Sequence, residues 1–249
     1  MKIVVIGGSG LIGKQVTANL LRRGQEAVPA SPSTGVNAYT GEGLSETLSG
    51  AGVVVDVSNA PSFEDAAVLD FFEQSGRNLL AAERQAGVKH HVALSIVGTD
   101  RLEGNGYFRA KVLQERLIEL AGLPFTIVRA TQFFEFVAAI AGASVAGDRL
   151  VVPDADFQPI AAKDVAMALA DVAVGSPTNG IIEIAGPERL PFREFVARRV
   201  AAEGDGRKVS ADRAARYFGT PLEKGSLVPA DDGAARLGRT RFDAWLAEL

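Results

Sequence analysis

Three residues in the middle of the chain have side chains and spacing suited to proton transfer: Ser95, Tyr107 and Lys111. Tyr107 and Lys111 are four positions apart, which predicts that they share one face of a helix, one turn apart. A protonated lysine lowers the pKa of a nearby phenol, so the tyrosine could exchange a proton with a carbonyl or alcohol oxygen while a hydride moves. The Ser95 hydroxyl, at the end of a predicted strand, could hold the same oxygen. The alternative is an ordinary amphipathic surface helix.

Hydride chemistry needs a bound carrier, and the first thirteen residues predict a site for one. An apolar run, Ile3 to Ile6, leads into Gly7-Gly8-Ser9-Gly10-Leu11-Ile12-Gly13, after which the pattern becomes helical. In this setting Gly7 permits a tight turn, Gly10 leaves room for a pyrophosphate and Gly13 lets the helix pack closely on the strand. The free N–H groups at the start of a helix favour phosphate. We therefore predict that residues 7–13 bind a dinucleotide, the alternative being a turn with no ligand.

Up to about residue 130, strand-like and helix-like segments alternate, and this alternation predicts the fold. Strands are expected at 3–6, 26–30, 53–57, 91–95 and 125–129, and helices at about 12–23, 43–49, 63–87 and 107–121. Short β-branched strands separated by helices predict a parallel sheet covered on both faces, which closes as a doubly wound Rossmann α/β fold.

The predicted organisation is a nucleotide-binding core followed by a lobe. Residues 1–130 would form the NAD(P)-binding core, to which a late strand near 181–185 returns. Residues 131–249 would form a small C-terminal substrate lobe and lid, in one compact unit with the core. Helices are expected there at 131–146, 162–174, 192–204 and 242–249, and residues 205–235 are rich in Gly, Pro and charge.

The end of the second predicted strand is where the adenosine ribose of a dinucleotide is recognised. The sequence offers the hydroxyls of Ser31, Ser33 and Thr34 there, and no carboxylate. A carboxylate would repel a 2′-phosphate, whereas hydroxyls can donate hydrogen bonds to one, so NADP is favoured over NAD, which stays an alternative. The same residues could simply form a turn. After the third strand, Asn59 and Ala60 are expected to reach the cofactor.

These motifs resemble the short-chain dehydrogenase/reductase superfamily, specifically its atypical NmrA-like, NAD(P)-binding branch. The resemblance spans nearly the whole chain and is carried by Gly7-x-x-Gly10-x-x-Gly13, Ser95, Tyr107-x-x-x-Lys111, Arg129-Ala130-Thr131-Gln132-Phe133, Gln158-Pro159-Ile160-Ala161 and Ala185-Gly186-Pro187-Glu188. It implies a Rossmann core, a small substrate lobe and NAD(P)H-linked reduction. Several members of the branch lack the tyrosine, so its presence here favours catalysis. The arginine that often follows strand two for NADP is absent.

By the same resemblance, the segment after the fifth strand should lie beside the nicotinamide and the substrate. The implied cofactor contacts there are Ala130 and Thr131, and the implied substrate contacts are Gln132, Phe133 and Phe134. Lys111, by its own chemistry, could also bind the cofactor by holding the nicotinamide-ribose hydroxyls. The phenylalanines would form an apolar wall suited to a hydrophobic carbonyl compound or a quinone. They could instead be core residues, which is what we expect of Phe136.

The sequence thus favours an NAD(P)H-dependent oxidoreductase that reduces a small carbonyl compound, a quinone or a similar substrate, with Tyr107 as proton donor. Two other functions stay open: a redox-sensing regulator that binds the cofactor without turnover, and a nucleotide-sugar epimerase. The apolar pair Phe133-Phe134 argues mildly against a polyhydroxylated diphosphate substrate.

Composition bears on the remaining classes of function. The 249 residues carry a net charge of −4 and no cysteine. The charge argues against nucleic acid or an anionic membrane as partner, and the lack of cysteine excludes disulfides and thiolate-bound metals. His90 and His91 have no third ligand nearby, so no metal site is expected. The acidic pairs Glu64-Asp65 and Asp231-Asp232 are expected to be solvated turns or caps.

The sequence also gives an expectation for location and assembly. No apolar run approaches the roughly 18–20 residues of a membrane span, and the chain enters a strand pattern at once. We therefore expect a cytoplasmic protein, a monomer or a homodimer, that acts on a small molecule.

Overall fold

The computed structural model of the chain describes residues 1–102, 104–230 and 233–249, so the predicted acidic turn at Asp231-Asp232 lies outside the described residues. The strands are β1 (Lys2–Ile6), β2 (Glu26–Ala30), β3 (Val53–Asp56), β4 (His90–Ile96), β5 (Phe125–Ala130), β6 (Val145–Ala146), β7 (Arg149–Pro153), β8 (Asp156–Phe157), β9 (Gly180–Ala185), β10 (Leu190–Pro191), β11 (Lys208–Asp212) and β12 (Arg236–Leu237). The helices are α1 (Leu11–Arg22), α2 (Leu44–Leu48), α3 (Asp65–Ala86), α4 (Gly106–Leu120), α5 (Val137–Ala143), α6 (Ala162–Val174), α7 (Phe192–Ala202) and α8 (Phe242–Leu246). No helix in these described ranges is long and apolar enough to cross a bilayer.

The largest sheet has the strand order β12-β9-β5-β4-β3-β1-β2. Strand β1 pairs in parallel with both β2 and β3, and β3 pairs in parallel with β4. The chain therefore leaves β1 toward one edge of the sheet and then crosses to β3 on the other side of β1. This reversal is the topological switch point of a doubly wound sheet, where ligands bind outside the carboxyl ends of the strands. The predicted fold class is confirmed.

The chain divides into two compact units, each of them discontinuous in sequence. The first comprises Met1–Ser95, Gly106–Arg129 and Val165–Ile182, and the second comprises Ile96–Asn105, Ala130–Asp164 and Glu183–Leu249. The first unit therefore includes most of α6, which the sequence had assigned to the lobe. The second unit takes up the chain again at the carboxyl ends of β4 and β5.

In the first unit, close packing of α3 against α4 fixes the start of α4. A Cβ added to Gly76 on α3 would lie 3.2 Å from a methyl carbon of Leu117 on α4, so the small residue permits this close approach. Phe72 on α3 and Ala110 on α4 are fully buried in one cluster, and Tyr107 packs partly buried against it. The packing of α4 thus holds Tyr107 beside α3.

Strand β4 begins at His90, one residue before the predicted bound, so both histidines belong to it. His90 and His91 pair with Val53 and Val54 of β3. Both are buried, and His91 Nδ1 lies 2.9 Å from a carboxylate oxygen of Glu83 on α3. Pairing with the neighbouring strand extends β4, and the buried acid–base contact joins it to α3.

The core of the second unit is aromatic. The Phe134 ring lies 4.9 Å from that of Phe242 and 5.6 Å from that of Trp245, measured between centroids. Phe195 contacts Phe242 at 5.1 Å and extends the cluster to α7. Aromatic pairs at such separations add about 0.5–1.5 kcal/mol each beyond the burial of their area. Helix α8, with the single tryptophan, therefore completes this core.

The predicted helix over residues 131–146 is wrong in its first third. Residues 134–136 form a single 3₁₀ turn, α5 covers only Val137–Ala143, and the segment ends in the short strand β6. The cause is a non-local pairing in which the Phe134 N–H donates to the Ile160 carbonyl and the Ile160 N–H to the Gln132 carbonyl. The turn reverses the expected burial, since Phe134 is 1% exposed and Phe136 is 50% exposed. The expectation that Phe136 is a core residue was wrong.

Strand β11 was not predicted, because Lys208–Asp212 has no apolar run and the surrounding residues favour loops. It forms by parallel pairing with β7, in which Val209 lies opposite Leu150.

We expect Phe134→Ala to lower the free energy of unfolding of the protein by about 3–5 kcal/mol, because it leaves a cavity in this aromatic core. Phe136→Ala is the matched control, since half of that side chain is already exposed, and a loss within about 1 kcal/mol is expected. Urea unfolding of the two variants measures both values. Equal losses would contradict the burial described for Phe134.

Candidate active site

The glycine turn after β1 is built by close contacts of backbone with backbone. The Gly7 and Gly8 N–H groups both donate to the Ala30 carbonyl at the end of β2, at 2.9 and 3.1 Å. Gly7 has φ +79°, and an added Cβ would lie 2.8 Å from the Val57 carbonyl carbon. A Cβ on Gly13 would collide with the Gly7 carbonyl oxygen. Gly7 and Gly13 are therefore required by the fold itself.

Gly10 differs, because the nearest atom to an added Cβ, the Gly7 carbonyl oxygen, is 3.3 Å away and φ is −77°. The residue is exposed, and it stands at the N-cap of α1 with no side-chain cap. The first N–H groups of α1 are those of Leu11, Ile12 and Gly13, and no acidic side chain in the first turn offsets their positive polarity. Such a terminus has the polarity that binds anions. The turn leaves it accessible, as Ser9, Gly10 and Leu11 are all exposed.

The hydroxyl residues after β2 form a turn of their own. Residues 32–34 make a 3₁₀ turn in which the Ser31 N–H donates to the Thr34 hydroxyl at 2.9 Å, and the Thr34 hydroxyl donates to the Ser31 carbonyl at 2.9 Å. The hydroxyls of Ser31 and Ser33 are 2.9 Å apart. The turn interpretation of this segment is therefore correct as a description of its structure, and Ser33 and Thr34 stay exposed.

Tyr107 lies in the first turn of α4, with its phenol donating to Asn59 Oδ1 at 2.9 Å. Its ring packs edge-on against Phe63 at 5.4 Å and Phe72 at 6.1 Å, and Phe63 is 66% exposed. Burial raises the pKa of Tyr107 to about 12, against the lowering effect of the bond to Asn59. The phenol is thus neutral and carries its proton at physiological pH. Ala60, predicted with Asn59 to reach a cofactor, is 7% exposed.

Lys111 follows one helical turn after Tyr107 and is 3% exposed. Its ammonium donates to the Leu94 carbonyl at 2.8 Å and to Gln114 Oε1, and it lies 4.6 Å from the centre of the Phe72 ring. Burial lowers the pKa of Lys111 to about 8, opposed by the nearby carboxylates of Asp56 and Glu115. The lysine is thus a buried cation held by polar partners, and the alternative of an ordinary surface helix does not describe α4.

Ser95 has a partner that the sequence did not predict. Its hydroxyl donates to Glu115 Oε1 at 2.5 Å. The same carboxylate accepts two bonds from the Arg129 guanidinium, at 2.9 and 2.6 Å, and all three residues are buried. To donate to a substrate oxygen, Ser95 would have to release Glu115. The structure therefore gives Ser95 a link between β4 and α4, and its predicted catalytic role stays a prediction.

The remaining predicted residues lie in the second unit. Ala130 is buried, and its carbonyl accepts from the Val97 N–H at 2.9 Å. Thr131 and Gln132 are 1% and 8% exposed, yet Thr131 Oγ1 and Gln132 Oε1 have no hydrogen-bond partner within the described residues. Buried polar atoms in native proteins are almost always satisfied, so such atoms suit a ligand or water. Phe133 is partly exposed and stacks on Phe136.

Phe134, predicted to contact substrate, instead fills the aromatic core of the second unit, where its ring is 1% exposed. The turn directs the two neighbouring rings into different surroundings, so that of this predicted pair only Phe133 is partly exposed, and its contact with substrate stays a prediction.

In the first unit, sequence reasoning missed Gln114 and Glu115 and gave Asp56 no part beside Lys111, although these residues surround Lys111 or Ser95. In the second unit, Gln158, named only for the resemblance, has a buried Oε1 without a partner in the described residues, while its amide nitrogen donates to the Gly186 carbonyl. The available signal for Gln114 and Glu115 was their position on α4, three and four residues after Lys111, where they continue its face. Within the described ranges, no group of three or more His, Cys, Asp or Glu side chains could hold a metal ion.

Comparison with known proteins gives two kinds of likeness. No protein-family model matches the chain. The photosystem II assembly factor Ycf39 of Cyanophora paradoxa and that of Synechocystis are each 24% identical over 149 residues, covering 54% of this chain and 46% of theirs. The chain thus spans about half the length of the curated relatives it matches.

Solved structures match over almost the full length. The UDP-glucose 4-epimerase of Thermus thermophilus, in complex with NAD, has a TM-score of 0.70 at 19% identity, with 100% of both chains covered. A short-chain dehydrogenase/reductase superfamily protein from Agrobacterium tumefaciens with bound NAD has a TM-score of 0.73 at 15% identity, covering 100% of this chain and 95% of that one. An NADPH-dependent quinone oxidoreductase from Escherichia coli has a TM-score of 0.70 at 16% identity, covering 99% and 98%. The chain therefore shares the fold of these three proteins, a Rossmann-type α/β fold as the sequence predicted.

We expect Gly13→Ala to destabilise the protein by about 1–3 kcal/mol, because the new methyl group meets the Gly7 carbonyl oxygen in a packed turn. Gly10→Ala should cost about 1 kcal/mol or less, the ordinary preference for glycine over alanine at an N-cap. Gly142→Ala, where an added Cβ meets nothing within 4 Å, is the control and should not destabilise. Thermal unfolding of the three variants gives the comparison, and equal losses for Gly13 and Gly10 would contradict the described packing.

Proposed function

We propose that the protein is an NAD(P)H-dependent oxidoreductase that reduces a small carbonyl compound, a quinone or a similar substrate, with Tyr107 as proton donor. The observation that carries the proposal is the combination, within the first unit, of an accessible uncapped glycine-loop helix with Tyr107 and a buried Lys111 on one face of α4. Burying a charged lysine costs several kcal/mol unless partners replace the lost water. Buried groups whose pKa is strongly shifted are concentrated at functional sites.

The residues present fit a nicotinamide dinucleotide. Of the three glycines of the motif, only Gly10 could carry a side chain with little steric conflict within the fold. A glycine is nevertheless expected at this position if a pyrophosphate needs the space beside it. The α1 N-terminus offers N–H groups to the phosphates. Thr131 Oγ1, buried and without a partner in the described residues, is a polar atom suited to a ligand group. When bound, the dinucleotide would supply the hydride.

The residues of the chain would divide the remaining chemistry. Tyr107 keeps its proton in the free protein, so it can donate that proton to the substrate oxygen as negative charge develops there. Lys111 in its ammonium form would hold ribose hydroxyls and lower the pKa of the phenol from its high starting value. Asn59 would hold the phenol in position until substrate arrives. Gln132 and Phe133 would contact the substrate.

For the cofactor we propose NADP in preference to NAD. The support is the set of hydroxyls at Ser31, Ser33 and Thr34, and the lack of a carboxylate in that stretch. Calorimetric titration with NADPH and NADH side by side tests the choice. Equally tight binding of both would overturn the preference, and binding of neither would overturn the proposed function. Gly10→Ala should weaken binding of either dinucleotide while the protein stays folded.

A sugar-nucleotide epimerase is the second candidate, favoured by the full-length fold match to the Thermus enzyme. A redox-sensing regulator that binds the cofactor without turnover is the third, and the name of the curated relatives, assembly factors, likewise states no reaction. A panel of carbonyl compounds and quinones, run beside UDP-sugars, separates the three. Epimerisation without net NADPH consumption would favour the second candidate, and tight cofactor binding with no turnover at all would favour the third.

We expect Tyr107→Phe to lower kcat by about 10²–10⁴-fold, the range supplied by a positioned general acid, with little change in the dissociation constant of NADPH. The substitution removes only the phenol oxygen, so the ring contacts with Phe63 and Phe72 are kept. Steady-state kinetics and calorimetry on the same preparation measure both quantities. Turnover that survives in this variant would remove Tyr107 from the mechanism.

We expect NADPH to bind less tightly as the pH rises through about 8, where Lys111 loses its proton in the free protein. The sign follows from the lowered pKa, because the ammonium form predominates below about 8 and the neutral form above it. The dissociation constant should rise toward about tenfold per pH unit above that point. Lys111→Arg is the control, since a guanidinium stays charged throughout and should flatten the profile. Identical profiles for the two proteins would contradict a role for the Lys111 charge.

A further inference from the structure

A buried carboxylate at the end of β3 connects the surroundings of Tyr107 with those of Lys111. Asp56 is 4% exposed. Its Oδ1 accepts from the Ser58 N–H at 2.9 Å, and its Oδ2 accepts from Gln114 Nε2 at 2.9 Å. Each oxygen thus serves a different branch of the site.

The first branch runs through the backbone that follows β3. The bond from Ser58 fixes the chain immediately before Asn59, and Asn59 Oδ1 accepts a hydrogen bond from the Tyr107 phenol at 2.9 Å. The backbone beyond β3 is held by the same carboxylate and by the Val57 N–H, which donates to the Ile6 carbonyl at 3.0 Å. The Tyr107 phenol is therefore linked to Asp56 through residues 58 and 59.

The second branch sets the direction of an amide. An ionised carboxylate accepts hydrogen bonds and donates none, so Gln114 must turn its NH₂ group toward Asp56. Its carbonyl oxygen then faces the other way and accepts from Lys111 Nζ. The Leu94 carbonyl holds the ammonium from β4 at 2.8 Å. A reversed Gln114 would direct two N–H donors at the ammonium.

The charges around Lys111 come from every neighbouring element. Asp56 on β3 and Glu115 on α4 are the carboxylates, and Glu115 is paired with Arg129 of β5. From α3 come the Phe72 ring and Glu83, and Glu83 with His91 of β4 interacts electrostatically with Asp56. Because Glu115 is paired with an arginine and Glu83 with His91, Asp56 is the carboxylate whose own contacts here are neutral groups.

We propose that Asp56 is the positioning residue of the Tyr107–Lys111 pair, orienting the phenol through Ser58 and Asn59 and the ammonium through Gln114. The role assigned to it rests on the proposed function, because the pair is worth orienting only if it acts on a bound cofactor and substrate. Asp56 touches neither reacting group directly.

Asp56→Asn tests the proposal, because an asparagine has one oxygen for two donors. Either the Ser58 N–H or the Gln114 amide is left without an acceptor, and the negative charge near Lys111 is lost. The midpoint of the Lys111 titration should therefore fall below that of the natural protein. NMR of ¹³Cε-labelled lysine in the free protein measures this midpoint, with Lys111→Arg to assign the resonance. NADPH binding at neutral pH should weaken by about tenfold, the value of a lost buried hydrogen bond to a charged group.

A double variant, Asp56→Asn with Gln114→Glu, should restore both properties. The oxygen of the new asparagine side chain can accept from Ser58 while its NH₂ group donates to the new carboxylate at position 114, which accepts from Lys111. Every hydrogen bond keeps a donor and an acceptor. The negative charge moves from position 56 to position 114, whose side chain contacts Lys111 directly. We expect NADPH affinity within about threefold of the natural protein and a Lys111 midpoint at or above its original value.

Asp65→Asn is the matched control. Asp65 is an exposed carboxylate on α3, and it pairs at 2.7 Å with Arg109 of α4, the helix that carries Lys111. It should change neither the Lys111 midpoint nor NADPH affinity. The proposal is overturned if Asp56→Asn, folded by circular dichroism, keeps the original midpoint, or if the double variant restores neither property. Failure of the natural protein to bind any nicotinamide dinucleotide would overturn the proposed function instead, and the free-protein titration would still decide whether Asp56 sets the state of Lys111.

Discussion

Helix α4 turns a polar face toward the interior of the first unit, and the rest of the candidate site depends on how that face is satisfied. Lys111, Gln114 and Glu115 are each no more than 5% exposed. Burying ions costs several kcal/mol each unless partners replace the lost water. Those partners come from the ends of β3, β4 and β5, through Asp56, the Leu94 carbonyl and Arg129. The helix is therefore fixed by directional hydrogen bonds. These bonds specify the rotation of α4 about its axis and its position along that axis more narrowly than apolar contacts do.

Burial moves the two central pKa values in opposite directions. It raises the pKa of Tyr107 to about 12 and lowers that of Lys111 to about 8. The neutral phenol is thus the stable form over the whole physiological range, whereas the lysine lies near the point at which it changes charge. In the free protein, the electrostatics of the site are therefore governed by the lysine and by the nearby carboxylates, Asp56 and Glu115, whose charges favour its ammonium form.

The sequence predicted those parts of the molecule whose cause is local. The turn from β1 to α1 needs glycine where φ is positive, at Gly7, and where an added Cβ would meet nearby backbone, at Gly8 and Gly13. The strands of the first unit and helices α1, α3 and α4 lie close to their predicted bounds for the same reason. Tyr107 and Lys111 were found because a helix brings residues four apart together.

What the sequence missed depends on pairs far apart in the chain. Gln114 meets Asp56 across 58 positions, and nothing in either neighbourhood indicates the other. Ser95 was read as a free hydroxyl because its acceptor, Glu115, lies 20 residues later. Phe134 and Phe136 exchanged their expected burial because the pairing with Ile160 replaced a helix by a turn. In each case a long-range contact overrode a local pattern.

The interleaving of the two units has a consequence for how the chain acquires its structure during synthesis. The first unit is completed only by Val165–Ile182, yet the second begins before that, at Ile96–Asn105, and its aromatic core awaits Phe242 and Trp245. Because synthesis runs from the N-terminus, the first unit cannot be complete before residues of the second have been made. Domains that follow one another in sequence can instead fold one after the other. The nascent chain exposes an unfinished sheet and unpaired phenylalanines for much of translation, so the late appearance of α8 sets the moment at which the apolar surface is finally covered.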